Sequence, residues 1–156
     1  MKIKDITLAS IFIAALIAQN YLLYSFPITL TYLFFYHIFK YVKSKTINIF
    51  SILLFVLVKN IIYMALPTTI IFDILGLLLF YLVCLIPNKI IKYMLIVISI
   101  LIHILLLDLS TALLTGSVIN ALIANITSGF ITYIYAPLSI VLIIIFDGIE
   151  ILSDYE

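Results

Sequence analysis

The sequence contains no arginine, a single cysteine and few charged residues of any kind. Charged residues make up 10% of its 156 positions and hydrophobic residues 67%, whereas a soluble domain has about one quarter charged and about half apolar residues. A soluble core cannot hide so much apolar surface, so the composition predicts an integral membrane protein. One cysteine excludes an intramolecular disulfide, and a net charge of +1 argues against nucleic acid as a partner.

Six apolar stretches divide the chain, and a membrane-spanning helix needs about 20 such residues, with roughly 17 to 25 tolerated. They cover 6–25, 27–42, 47–66, 68–86, 90–114 and 118–146. Pro27, Pro67 and Pro87 fall at or between the ends of stretches, whereas Pro137 should kink the last helix, with a break near Gly129 or Pro137 as the alternative. The first stretch is long for a signal peptide and lacks a small-x-small cleavage site, so we interpret it as a retained span.

The fold class that follows is all-α: a single transmembrane helical domain over 1–156, built as a bundle of six helices. Seven of the eight lysines indicate its orientation, because they form three clusters separated by pairs of spans. Cytoplasmic loops of membrane proteins are enriched in lysine and arginine. We therefore expect a multi-pass protein of the plasma membrane with cytoplasmic N and C termini. The clusters consist of Lys2 and Lys4; Lys40, Lys43 and Lys45; and Lys89 and Lys92.

Polar side chains inside the apolar stretches gather in the half of the membrane opposite these lysines. An ionisable group is costly among lipid tails, so it normally faces protein or a water-filled cavity. We expect a cavity open to the outside that binds a small zwitterion or another ligand with both donors and acceptors. Alternatively, Lys59 pairs with Asp73 or Asp108, while the asparagines and Gln19 join helices by hydrogen bonds. The predicted lining is Asn20, Lys59, Asn60, Asp73, His103, Asp108, Asn120 and Asn125.

Catalysis is not predicted. His37 and Cys84 both fall near the cytoplasmic end, and a thiolate needs a nearby base, but no third orienting group is evident. Free cysteine is usually a small buried hydrophobe. The chain has no glycine-rich phosphate loop and no His-x-x-His spacing, so we expect no enzyme activity, no cofactor and no metal site.

Ser10, Ala14 and Ala18 recur every four residues on the first span and form a small-residue face. Such faces let membrane helices approach closely. The face either packs within the chain or docks another membrane subunit.

Two stretches of sequence are typical of a known family of membrane proteins: Thr7 to Ala18 (TLASIFIAALIA) and Phe26 to Leu30 (FPITL). With six predicted spans and both termini inside, the chain resembles the substrate-binding S components of energy-coupling-factor vitamin transporters. The resemblance implies that Ala14 and Ala18 contact a transmembrane coupling protein, which works with ATPases. It also implies that a vitamin or vitamin precursor binds near the outer face. The third helix departs from the family, because Thr46 to Phe50 (TINIF) replaces a glycine-rich segment.

The chain is also similar in size and hydropathy to MreD-like rod-shape proteins. Ala18 to Leu23 (AQNYLL) and Ala124 to Thr127 (ANIT) echo short stretches typical of them. That resemblance implies a non-catalytic scaffold or accessory subunit of a larger membrane complex. The leading expectation is a binding subunit for uptake of a small polar nutrient, with the scaffold as the alternative.

Overall fold

A computed structural model describes residues 3–22, 30–62, 65, 67–120, 123 and 138–149. Its main helices are α1 (Ile3–Leu22), α2 (Thr31–Tyr41), α3 (Lys45–Ile62), α4 (Pro67–Cys84), α5 (Lys89–Thr115) and α6 (Leu138–Ile149). No described element is a strand, so the predicted all-α class is confirmed. Three helices, α3, α4 and α5, are long and apolar enough to cross a membrane, as expected of a helical membrane protein.

The helix ends differ in places from the predicted spans. The 11 residues of α2 extend about 17 Å at 1.5 Å per residue, against roughly 30 Å of hydrocarbon. Residues 27–29 of its predicted span lie outside the described residues, as does the predicted break near Gly129 or Pro137. Pro67 is the first residue of α4 rather than part of the connection. Proline is favoured there because a first-turn amide has no partner within the helix.

Local signals define both ends of α5. The side chain of Asn88 accepts a hydrogen bond from the backbone N–H of Ile91 at 3.2 Å and so caps the first turn. Gly116 ends the helix with φ 66°, in the left-handed region that glycine enters without steric cost. These two residues explain why the longest described helix has sharp limits.

The core lies where α4 packs along α5, α3 packs on α4, and α1 contacts both α2 and α3. Its large side chains are fully buried, among them Leu16, Phe35, Phe55, Phe80 and Ile100. Many large apolar side chains instead lie on the outside of the bundle. An outer surface of this kind is stable against lipid and unfavourable against water.

The described contacts bring the described parts of the three lysine clusters to one end of the bundle. Lys40 at the end of α2 and Tyr93 at the start of α5 both bind Asp147 of α6. Ile6 at the start of α1 and Thr46 at the start of α3 line one groove. We call this the lysine end, and we call the opposite one, where α3 ends and α4 begins, the α3–α4 end.

Candidate functional site

The carboxylate of Asp73 is the centre of a buried polar cluster between α3, α4 and α5. Lys59 Nζ lies 2.6 Å from Asp73 Oδ2, and Asn60 Nδ2 donates to the same oxygen at 3.1 Å. His103 Nε2 lies 2.9 Å from Asp73 Oδ1. Each carboxylate oxygen therefore accepts a hydrogen bond from the protein, and the side chain of Asp73 is only 1% exposed.

Helix geometry explains how the first three residues meet. Lys59 and Asn60 lie in the last turn of α3, and Asp73 lies in the second turn of the helix that follows. Because α3 and α4 pack together and a short connection joins them, these turns lie at similar depth. The ion pair thus forms near the α3–α4 end, where α3 and α4 face each other.

His103 reaches Asp73 from α5, and a second hydrogen bond orients its ring. Its Nδ1 lies 3.0 Å from the hydroxyl of Tyr32 on α2. A neutral imidazole satisfies both contacts when Nε2 donates to Asp73 and Nδ1 accepts from Tyr32. The ring of Tyr32 also meets that of His103 edge to face, with centroids 5.8 Å apart. Four helices therefore contribute to one connected network.

Gly76 makes room for this arrangement. A Cβ atom at position 76 would lie 2.1 Å from His103 Cδ2 and 2.3 Å from its Cγ. Glycine costs a helix about 1 kcal/mol relative to alanine, so a mid-helix glycine indicates a close approach. The imidazole can lie against the backbone of α4 only because this side chain is missing.

Opposite charges on Lys59 and Asp73 make the polar cluster stable within an apolar bundle. Lys59 supplies the positive charge for Asp73, since a buried carboxylate without a partner is strongly destabilising. The side chain of Lys59 is 25% exposed and its ammonium lies 5.8 Å from the centroid of the Phe55 ring. The pair therefore has one enclosed partner, Asp73, and one partner that reaches the surface.

The structure brings together four of the eight predicted cavity residues: Lys59, Asn60, Asp73 and His103. Asp108 is buried five residues further along α5, about 7.5 Å away along the helix axis. Asn120 is exposed, and its backbone N–H donates to Ser117 Oγ at 3.3 Å. The side chain of Asn20 and all of Asn125 lie outside the described residues. Of the two partners proposed for Lys59, the structure selects Asp73.

Sequence reasoning missed Tyr32 and Gly76. Gly76 carries a recognisable signal, because it is the single glycine of α4 and follows Asp73 by one helical turn. Tyr32 carries no such signal, since tyrosine is common near the ends of membrane helices. By contrast, Gln19 joins two helices as expected, because its Oε1 accepts from the backbone N–H of Leu30 just before α2 at 3.3 Å.

A second polar cluster, also missed, lies at the lysine end around Asp147. Lys40 Nζ lies 2.5 Å from Asp147 Oδ1, and Tyr93 donates to Oδ2 at 2.6 Å. Tyr36 donates its hydroxyl hydrogen to the same Oδ2, and Lys92 lies 5.8 Å from the centroid of the Tyr36 ring. One carboxylate thus joins α6 to α2 and α5.

The small-residue face of α1 points away from the described core. Ser10, Ala14 and Ala18 are exposed, whereas Ala9 and Ile13 on an adjacent face are buried. Ser10 also borders an apolar groove of about 330 Å³ between α1 and α3. The described helices therefore do not use the whole small-residue face for internal packing.

His37 and Cys84 are the two residues considered for catalysis. His37 Nδ1 lies 2.8 Å from the carbonyl oxygen of Leu33, one turn earlier in α2. Cys84 is half-buried at the end of α4. Within the described part of the chain, no three histidine, cysteine or carboxylate side chains lie close enough to hold a metal ion.

No protein-family model, no curated protein and no solved structure matches this chain.

Proposed function

We propose that this chain is a membrane-embedded substrate-binding subunit for uptake of a small polar nutrient, such as a vitamin or its precursor. In this proposal it spans the plasma membrane six times with both termini in the cytoplasm. It has no catalytic activity of its own, and a coupling protein with ATPases supplies the energy. The observation that carries the proposal is the buried Asp73, held by Lys59, Asn60 and His103 inside an apolar bundle.

Charged groups within a membrane bundle are costly, and they commonly mark the path of a substrate or an ion. The Asp73 cluster combines a carboxylate acceptor with ammonium, amide and imidazole donors. A ligand with polar groups can exchange hydrogen bonds with these residues without leaving any of them unpaired. This chemistry suits a small polar molecule better than a lipid tail.

The position of the cluster supports access from the α3–α4 end. Lys59 lies three residues before the end of α3, about 4.5 Å along the helix axis. The lysine clusters lie at the opposite end, which the positive-inside rule assigns to the cytoplasm. A ligand entering from outside the cell would therefore meet Lys59 first and Asp73 behind it.

Mass spectrometry of small molecules that co-purify with the protein tests the proposal. The wild-type protein should retain a polar metabolite that Asp73→Asn loses while still inserting in the membrane. Asp5→Asn, in the first turn of α1, is the matched control and should retain the same molecule. Equal retention by wild type and Asp73→Asn, or no retained metabolite at all, would rule the proposal out.

A scaffold or accessory subunit of a larger membrane complex is the second candidate. The exposure of Ser10, Ala14 and Ala18 favours it, because small residues permit close contact with a helix of another protein. A binding subunit that depends on partners would use the same face. The small-residue face therefore supports association in both candidates, and only the Asp73 cluster separates them.

Chemical cross-linking in native membranes tests this association. Ala14→Leu should reduce the yield of cross-linked partner, because the larger side chain keeps another helix at a distance. Ala15→Leu places the same side chain at an exposed position about 100° around α1 and serves as the control. Equal yields from the two variants would remove the small-residue face as a docking surface.

A further inference from the structure

Asp73 receives three nitrogen donors, and they differ in how firmly other contacts hold them. Asn60 Nδ2 also donates to the backbone carbonyl oxygen of Val56 at 2.8 Å. The ring of His103 is held by Tyr32 on one side and by the backbone at Gly76 on the other. These two donors cannot leave Asp73 without breaking a second contact.

Lys59 is held differently. Its ammonium ends a flexible four-carbon stem, and its described hydrogen bond is the one to Asp73. Its side chain is 25% exposed, compared with 1% for Asp73 and 4% for His103. Lys59 is therefore the donor that can move outward while Asn60 and His103 stay in place.

Outward movement of Lys59 leaves Asp73 Oδ2 without a cation in an enclosed site. An uncompensated buried carboxylate is unfavourable, so whatever takes the place of the ammonium must carry positive charge. An N–H group on it would also restore the hydrogen bond that Oδ2 accepts from Lys59. A neutral molecule cannot restore the charge balance, and an anion would add to the imbalance.

We propose that the Asp73 site binds a small organic ammonium group, which replaces the Lys59 ammonium at Asp73 Oδ2. This inference rests on the proposed binding function and names the chemical class of the ligand. Lys59 is a tethered counter-ion that neutralises Asp73 while the ligand is absent. Because it is covalently attached, it competes at a high effective concentration, and an ammonium ligand binds more weakly than it would without Lys59.

Chemical rescue of Lys59→Ala tests the inference. In the purified variant, ethylammonium chloride should raise the melting temperature progressively as its concentration increases, because a ligand that binds only the folded state stabilises it. Sodium chloride and sodium acetate at equal ionic strength should not. The double variant Lys59→Ala/Asp73→Asn should show no specific shift, and wild type should show a smaller one. Equal shifts with ethylammonium and sodium salts would overturn the inference.

A measurement on wild type covers the case in which Lys59→Ala does not fold. Acetic anhydride labels accessible lysines, and peptide mass spectrometry gives the ratio of acetylated Lys59 to acetylated Lys43. Lys43 is exposed at the lysine end and serves as the internal reference, which corrects for reagent consumed by ethylamine. Ethylammonium should raise this ratio by displacing Lys59, whereas an unchanged ratio contradicts the inference.

The results separate this inference from the function on which it rests. A co-purifying neutral or anionic molecule that Asp73→Asn loses would leave the uptake proposal standing and overturn the ammonium class. Specific rescue by ethylammonium without any co-purifying metabolite would support the cation site and rule out the uptake proposal.

Discussion

Gly76 lies directly against the imidazole of His103, so that a single methyl group at position 76 would come within 2.1 Å of the ring. The close approach lets His103, on α5, bind Asp73, which lies one turn before Gly76 on α4. The most extensive helix contact in the described bundle is the one between α4 and α5. One missing side chain thus determines the packing of these helices and the geometry of the polar cluster together.

We expect Gly76→Ala to destabilise the protein despite the better helix propensity of alanine. Overpacking costs about 1–3 kcal/mol, which outweighs a propensity gain of about 1 kcal/mol. Gly148→Ala is the matched control, because no atom lies within 4 Å of its added Cβ, and it should be neutral or slightly stabilising. Thermal unfolding in detergent gives both values. Equal stability of the two variants would mean that His103 can move aside freely.

Substitutions at Lys59 and Asp73 should show strong energetic coupling. Lys59→Leu leaves the enclosed carboxylate of Asp73 unpaired, and loss of one partner of a buried ion pair costs about 3–5 kcal/mol. The double variant Lys59→Leu/Asp73→Leu removes both charges and should recover part of that loss, with a coupling energy of about 0.5–3 kcal/mol. Denaturant unfolding of the four proteins in the cycle measures it. Strictly additive effects would show that the two residues do not stabilise each other.

At the lysine end, loss of one tyrosine hydroxyl should weaken the attachment of α6. Hydrogen bonds to charged groups contribute about 1.5–3 kcal/mol, so Tyr36→Phe should destabilise by about that amount. Tyr93→Phe should have a similar effect, because both hydroxyls donate to Asp147. Tyr41→Phe, on an exposed ring at the end of α2, is the control and should change stability little. A Tyr36→Phe variant as stable as Tyr41→Phe would argue against a structural role for the Asp147 cluster.

Cysteine labelling in intact cells tests the proposed orientation. With Cys84→Ser as background, a membrane-impermeant maleimide should label Ser117→Cys, in the connection after α5. It should label Lys43→Cys, at the lysine end, only after the cells are permeabilised. The reverse pattern would invert the assignment of the cytoplasmic face.

The helices themselves follow closely from the sequence. The predicted spans 47–66, 68–86 and 90–114 lie within a few residues of α3, α4 and α5. In lipid, the backbone N–H and C=O groups must form hydrogen bonds within the segment. A long apolar run is therefore enough to predict a helix. The start of α2 is the exception, because the structure begins that helix at Thr31 rather than near Pro27.

The sequence predicts only part of the candidate site. Position along each span placed Lys59, Asn60, Asp73 and His103 at related depths, because depth depends on residue count alone. Depth could not choose between Asp73 and Asp108 as the partner of Lys59. That choice depends on how each helix is rotated about its axis, and large side chains such as Phe55 and Phe80 determine the rotation by packing.

The sequence by itself determined the all-helical membrane character and the alternation of lysine clusters with apolar spans, because both depend on local composition. Only the tertiary structure decided which buried groups meet. Asp147 binds Tyr36 and Lys40 across more than one hundred positions of chain, and His103 reaches Asp73 only because Gly76 has no side chain. Such contacts arise from helix packing, which depends on the volume of each side chain and the direction in which it points as much as on residue type.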